Sequence, residues 1–269
     1  MHIKNHTRIL LAALLLAASN SSLSAWGFIG HYSVAAIAEA NLTPKAKANI
    51  RSFIEGRSIV WYALWMDGIR GDPAYEFTYT WHSAWVDKDF RHVIAEEKVG
   101  GKGDIITALD GAIADLRDYK KLPPEKVAFN IKLLVHLIGD SHCPGHAKYL
   151  SINPFKFDVY WGKKKLTYHQ VWDTQLVEYK KWGYLEYLHQ LNRLSPPEIA
   201  KITAGSPVEW FEQMARECAV IYDWAKPGDT LSGEKYHRDF IEKATVVVES
   251  QIQKAGYRLA RLLNDAFDK

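Results

Sequence analysis

Eleven residues of this chain, His136-Leu-Ile-Gly-Asp140-Ser-His142-Cys-Pro-Gly-His146, hold four side chains able to ligate a metal through nitrogen or oxygen. Imidazole and carboxylate are donors that zinc takes at about 2.0–2.2 Å, and residues four apart share one face of a helix. His136 and Asp140 can therefore grip one ion. A second pair with the same spacing, His169 and Asp173, lies in Tyr168-His169-Gln-Val-Trp172-Asp173-Thr174. Taken singly, a histidine amid apolar residues is more often a core residue with its hydrogen bonds met. Two such pairs point to metal, because a buried carboxylate with neither partner nor cation is rarely tolerated.

The elements that must position these pairs are mostly helices. Pro123-Pro124-Glu125, followed by Val127, Ile131, Leu134 and Val135, predicts a helix that delivers His136 and Asp140 near its end. Pro144-Gly145 then breaks the chain and turns His146 elsewhere. Similar spacing predicts helices over His31 to Ala40, Asp104 to Tyr119, Pro207 to Ala225 and Tyr236 to Phe267, with Thr43 as N-cap and Pro44 as first residue of another. The convincing β signal is Phe155 to Thr167, a hairpin turning at Gly162 and leading straight into His169. The expected fold class is mainly α: a single-domain helical bundle with one short β-hairpin near residues 155–168. The ten tryptophans are read as packing residues unless position says otherwise.

Residues 1–25 read as a secretory signal peptide. His2, Lys4 and Arg8 precede a short apolar run from Ile9 to Ala18, and a mostly small, polar stretch leads to Ala25. The apolar run is too short to span a bilayer. Cleavage after Ala25 would make Trp26 the N-terminus of one exported domain, residues 26–269, in the periplasm or the medium. Losing Lys4 and Arg8 lowers the formal net charge from +3 to +1. A near-neutral chain offers no long basic groove, so affinity for phosphate has to come from a local site. An oxidising compartment would permit a disulfide between the two cysteines, Cys143 and Cys218; Cys143 as a bystander or a soft ligand is the alternative.

Three more stretches carry potential ligands: Trp26-Gly-Phe-Ile-Gly30-His31, Trp65-Met-Asp67-Gly-Ile-Arg70 and Thr80-Trp81-His82. Taken in order with the two pairs, they resemble the zinc-dependent single-strand nucleases of the S1/P1 type, also called nuclease/3′-nucleotidases. The resemblance runs from Trp26 to about Asn264, and at the far end Trp210, Glu217, Arg258 and Leu263 match the family as structure only. It implies three zinc ions in a cleft of a mainly helical domain. Asp67, His82, His136 and Asp140 would hold one, with Asp140 bridging to a second held by His31 and by the amino group and carbonyl of Trp26. His146, His169 and Asp173 would hold the third. His142 is not a ligand in that pattern and is read as orienting the ligands from behind. The chain also departs from the family. Ser83 follows His82 where an aromatic residue commonly stacks on a nucleobase, although Trp85 offers a π face two residues on, with core packing as its plain alternative. The glycine-rich stretch expected after His146 is replaced by Ala147-Lys-Tyr-Leu-Ser-Ile-Asn153-Pro154, and Cys143 stands where a glutamine is usual.

The resemblance implies hydrolysis of phosphodiester bonds in single-stranded DNA or RNA, and of 3′-nucleotides. The expected route is in-line attack by a zinc-bound hydroxide, giving 5′-phosphates without a covalent intermediate. Asp67 would orient the nucleophile. Arg70, one turn on, would meet the phosphoryl oxygens, with a supporting ion pair as its plain alternative. Two other readings stand beside this one. A zinc-dependent phospholipase C fits less well, because its last ligand is a glutamate where Asp173 stands. A non-catalytic zinc- or nucleotide-binding protein is disfavoured by the intact ligand set.

Overall fold

The structure, a computed structural model, describes residues 26–151, 157–232 and 238–269. The expected signal peptide, the first residues of the expected hairpin and Tyr236 lie outside them. The chain opens with α1 (Phe28–Ala40) and α2 (Pro44–Phe53), and the Thr43 hydroxyl caps α2 by accepting from the Ala46 amide at 3.1 Å. α3 (Ile105–Arg117) starts where the Asp104 carboxylate accepts from the amides of Ile106 and Thr107. α4 (Pro124–Asp140), α5 (Tyr184–Leu191), α6 (Pro196–Thr203), α7 (Pro207–Cys218) and the long α8 (Arg238–Phe267) follow. Proline opens α2, α4, α6 and α7, a position where its fixed φ suits the helix and its missing N–H has no partner to lose.

α1 packs chiefly along α8, and α3 along α4. Their apolar stripes close on a core in which Trp26, Trp172 and Trp210 are fully buried, as their reading as packing residues requires. The helix expected through Ala225 ends sooner. After Cys218 the chain tightens into a 3-10 turn over Ala219–Asp223, which brings the Ile221 carbonyl to the Tyr168 hydroxyl at 2.6 Å.

Among the described residues, two small sheets accompany the helices. One has no counterpart among the expectations: β1 (Ala84–Val86) pairs antiparallel with β2 (His92–Val93) and parallel with β3 (Ala147–Tyr149). Strands of two or three residues carry too little alternation to be read from sequence. The register sets Ala84 opposite Ala147, so the segment just after His82 runs beside the segment just after His146. The other sheet contains the expected hairpin, β4 (Asp158–Trp161) and β5 (Lys164–Thr167), turning at Gly162-Lys163, with β6 (Thr230–Ser232) added parallel to β4. Among the described residues no helix is long and apolar enough to cross a membrane.

Candidate metal centre

α4 carries His136 and Asp140 to its end, where both are fully buried. The Asp140 carboxylate is the hub of the site. Its Oδ1 lies 3.2 Å from His31 Nε2, and its Oδ2 lies 2.9 Å from His82 Nδ1 and 3.4 Å from His136 Nε2. His136 Nε2 is also 3.3 Å from His82 Nδ1 and 3.8 Å from Asp67 Oδ1. A tetrahedral shell with bonds of about 2.0–2.1 Å sets neighbouring donor atoms roughly 3.3 Å apart, so most of these separations are already those between ligands of one ion. Asp67 arrives from the single helical turn Trp65–Gly68, and His31 from α1, its ring stacked on that of His136 with centroids 4.2 Å apart. Buried Trp26 lies against Gly30 and Gly139, and a Cβ at Gly139 would come within 2.8 Å of His31 Nδ1. Only glycine leaves room there for the His31 ring.

A second group gathers at Asp173. β5 runs into the helical turn Tyr168–Gln170, where Thr167 and Gln170 cap each other, and a widened, π-type turn over Val171–Gln175 follows. Such turns recur at functional sites, and this one presents Asp173 to the interior. His169 Nε2 lies 2.8 Å from Asp173 Oδ2, and His146 Nε2 lies 3.9 Å from Asp173 Oδ1. The two groups meet at His146, whose Nδ1 is 4.0 Å from Asp140 Oδ2. A Cβ at Gly145 would lie 2.7 Å from His169 Nδ1, so this close approach also requires glycine. The Gly27 amide donates to the Asp173 carbonyl at 2.6 Å, tying the segment after Trp26 to the same group.

Backbone carbonyls set the tautomers. His136 Nδ1 donates to the Ala63 carbonyl at 2.8 Å, and His146 Nδ1 donates to the His82 carbonyl. In each ring Nε2 is left facing carboxylates, the arrangement usual for a metal-bound imidazole. His142 differs in kind. Its Nδ1 donates to the Ile138 carbonyl at 2.8 Å and its Nε2 accepts from Arg258 Nη1 at 2.8 Å, so protein satisfies both nitrogens. Rather than orienting a ligand directly, it braces the end of α4 against α8.

Burial and ion pairing compete across the site. Burial lowers the pKa of His31 and His82, and brings that of His146 down to about 4. Burial also opposes protonation of His136, but the charges of Asp140 and Asp67 outweigh it and raise this ring to about 9. For Asp140 burial acts upward, and the three imidazoles, His136 foremost, hold it well below the usual carboxylate range. His169 is raised, burial being outweighed by Asp173 and by a hydrogen bond to the Gly145 backbone, while Lys148 acts to lower it. Both ring nitrogens of His31, Asp140 Oδ1, His146 Nε2 and Asp173 Oδ2 are buried without a well-formed hydrogen bond. Native proteins seldom leave buried polar atoms so, and cations would supply the missing partners. Among the described residues, three groups are compact enough to hold an ion: His31, Asp67 and His136; His82, His136 and Asp140; and Cys143, His146 and Asp173.

The expected disulfide is absent: Cys143 and Cys218 are both buried free thiols. The turn after α4 directs the Cys143 thiol to Asp173 Oδ1 at 3.1 Å, and burial together with that carboxylate pushes its pKa well above the ordinary thiol range. Arg70 and Trp85 meet in a cavity of about 200 Å³ beside His82, which Ser83, Tyr79, Lys98 and Lys148 also line. Sequence reasoning missed the last three. For Lys148 the signal was its place in β3, opposite Trp85, and such a register is invisible until the strands are paired.

The S1/P1 nuclease family model matches residues 26–268. Nuclease S1 of Aspergillus oryzae is 27% identical over 275 residues, covering 89% of this chain and 91% of that protein. Nuclease P1 of Penicillium citrinum is 23% identical over 268 residues, covering 89% and 97%. Endonuclease 1 of Arabidopsis thaliana is 25% identical over 299 residues, covering 98% and 94%.

Proposed function

The chain belongs to the S1/P1 nuclease family, and we propose that it is an exported zinc enzyme that hydrolyses phosphodiester bonds of single-stranded DNA or RNA, and 3′-nucleotides, leaving 5′-phosphates on the polymer products. The observation that carries the reading is the buried Asp140 carboxylate with three imidazole nitrogens 2.9–3.4 Å from its oxygens, in a chain whose relatives are named nucleases and endonucleases. We assign Asp67, His82, His136 and Asp140 to one zinc, and His31, Asp140 and the backbone amine and carbonyl of Trp26 to a second. His146, His169 and Asp173 take the third. The family match starts at Trp26, the residue that the expected signal cleavage would expose, which supports export.

When bound, the ions supply water of lowered pKa and positive charge toward the phosphoryl oxygens. The chain's own residues do the rest. Asp67, at the more open edge of the group and 11% exposed, accepts a hydrogen bond from the attacking water and orients it toward phosphorus. Arg70, in the cavity beside His82, donates to the phosphoryl oxygens as negative charge builds there. Asp140 would hold two ions, since one of its oxygens faces His31 and the other faces His82 and His136.

The test is zinc content by plasma mass spectrometry and release of 5′-phosphate from single-stranded DNA, RNA and a 3′-mononucleotide, on protein whose N-terminus is verified as Trp26. Near three zinc per chain with release from polymer is the expected result. Full zinc with silence on all three, and release of phosphocholine from lecithin, would replace this reading with a lipase.

A further inference from the structure

The cavity beside His82 differs in chemistry from a stacking platform. Arg70, Lys98 and Lys148 line it, and among the described lining residues there is no carboxylate. In a chain whose net charge is only +3 before the leader is lost, this is a local concentration of positive charge. The β1–β3 register places Trp85 directly opposite Lys148, and directly opposed residues project to the same face of a sheet. Lys148 Nζ accordingly sits 5.5 Å from the centre of the Trp85 ring, so one face of that indole is occupied by a cation. The cavity measures about 200 Å³, below the roughly 300–1,000 Å³ typical of pockets that enclose a drug-sized ligand. His82, one of the side chains assigned to metal, lines the cavity directly together with Arg70, so the cavity borders the candidate metal centre.

We infer that this cavity is a subsite for a second phosphate of the substrate, carried by the nucleotide next to the bond being cut and held by Lys98 and Lys148. The inference rests on the nuclease reading and adds to it the feature of the substrate that is recognised. Trp85 acts through Lys148: its π face holds the ammonium over the cavity and limits its freedom. A small volume lined by three cations suits a compact tetrahedral anion better than a whole base and sugar. Arg70 is shared between the reacting phosphate and its neighbour, whereas Lys98 and Lys148 serve the neighbour.

The experiment compares hydrolysis of dithymidylate with and without a 5′-phosphate, and of trithymidylate, by wild type, Lys148→Met and Lys98→Ala. A second phosphate should lower the wild-type KM by about tenfold, the worth of one charge-assisted contact, with kcat little changed. Each variant should lose most of that advantage, and its salt dependence of kcat/KM should flatten by about one unit of slope. An equal KM for all three wild-type substrates, or an advantage that survives both variants, would overturn the subsite. Absence of all hydrolysis by wild type would instead defeat the nuclease reading. Calorimetric titration with methylphosphonate-linked dithymidine, with and without a 5′-phosphate, then decides the subsite without turnover. Tighter binding of the phosphorylated form, lost in Lys148→Met, supports it, and equal binding overturns it.

Discussion

His136 lies in the last turns of α4 and His142 two residues past its end, both fully buried, and they have opposite fates. His136 gives one nitrogen to a backbone carbonyl and turns the other toward Asp140, Asp67 and His82. His142 spends both nitrogens on the protein, one on Ile138 and one on Arg258. Arg258 is itself buried and extends the brace, donating to the Ile202 carbonyl at 2.9 Å and to Gln213 Oε1 at 2.6 Å, with its guanidinium 5.0 Å from the Trp210 ring centre. The difference separates a candidate ligand from a brace by accounting for each ring nitrogen. A buried imidazole with one nitrogen unmet has a site to fill, and one with both met has a joint to hold.

The largest expected effect lies on the Asp140 side. Under the proposed three-zinc assignment, Asp140→Ala should lose two ions together and lower turnover by about 10³-fold or more, because several kcal/mol of charge stabilisation would depend on that pair. Metal counting and kinetics on the purified variant check this, and full zinc content would remove the bridge. On the brace side, Arg258→Met should cost about 2–4 kcal/mol of stability, which for a domain of this size is a fall of roughly 5–15 °C in the unfolding midpoint. It should retain its metal. If calorimetry finds the fall and mass spectrometry finds the zinc gone as well, brace and ligand are not separate units.

A finer division is drawn by Gly145→Ala. The added Cβ would meet His169 Nδ1 and, at 3.3 Å, Asp173 Oδ1. Affinity for the ion proposed at Asp173 should fall about 10–100-fold while the two proposed at Asp140 stay, as stepwise chelator titration would resolve. The smallest effect concerns the thiols. Both are free, so a phosphine reductant should move the unfolding midpoint by less than about 1 °C; a larger drop would reveal a cross-link.

The helices were legible because their signals are local. Thr43 before Pro44, Asp104 before an apolar run and Pro124 before another act within a turn of themselves. The His136/Asp140 and His169/Asp173 pairs were legible for the same reason, although the second pair spans a π-type turn that four-residue spacing alone does not specify. The hairpin into His169 followed from its alternation and its turn. What failed to show was whatever depends on two distant segments meeting. β1 and β3 are too short to announce themselves, yet their pairing puts His82 beside His146 and Trp85 opposite Lys148. The thiols invited a disulfide on composition, and only the packed turn shows Cys143 directed at Asp173.

By itself, then, the sequence determined the helical class, the starts of the helices at Pro44, Ile105, Pro124 and Pro207, and the types and order of the candidate ligating side chains, since caps, periodicity and donor chemistry act over a few residues. Tertiary structure alone decided which imidazole nitrogens are left unmet, which glycines clear the rings and which cations border the cavity. Those outcomes depend on separations of about 3–4 Å between groups far apart in the chain, and no local pattern encodes such distances.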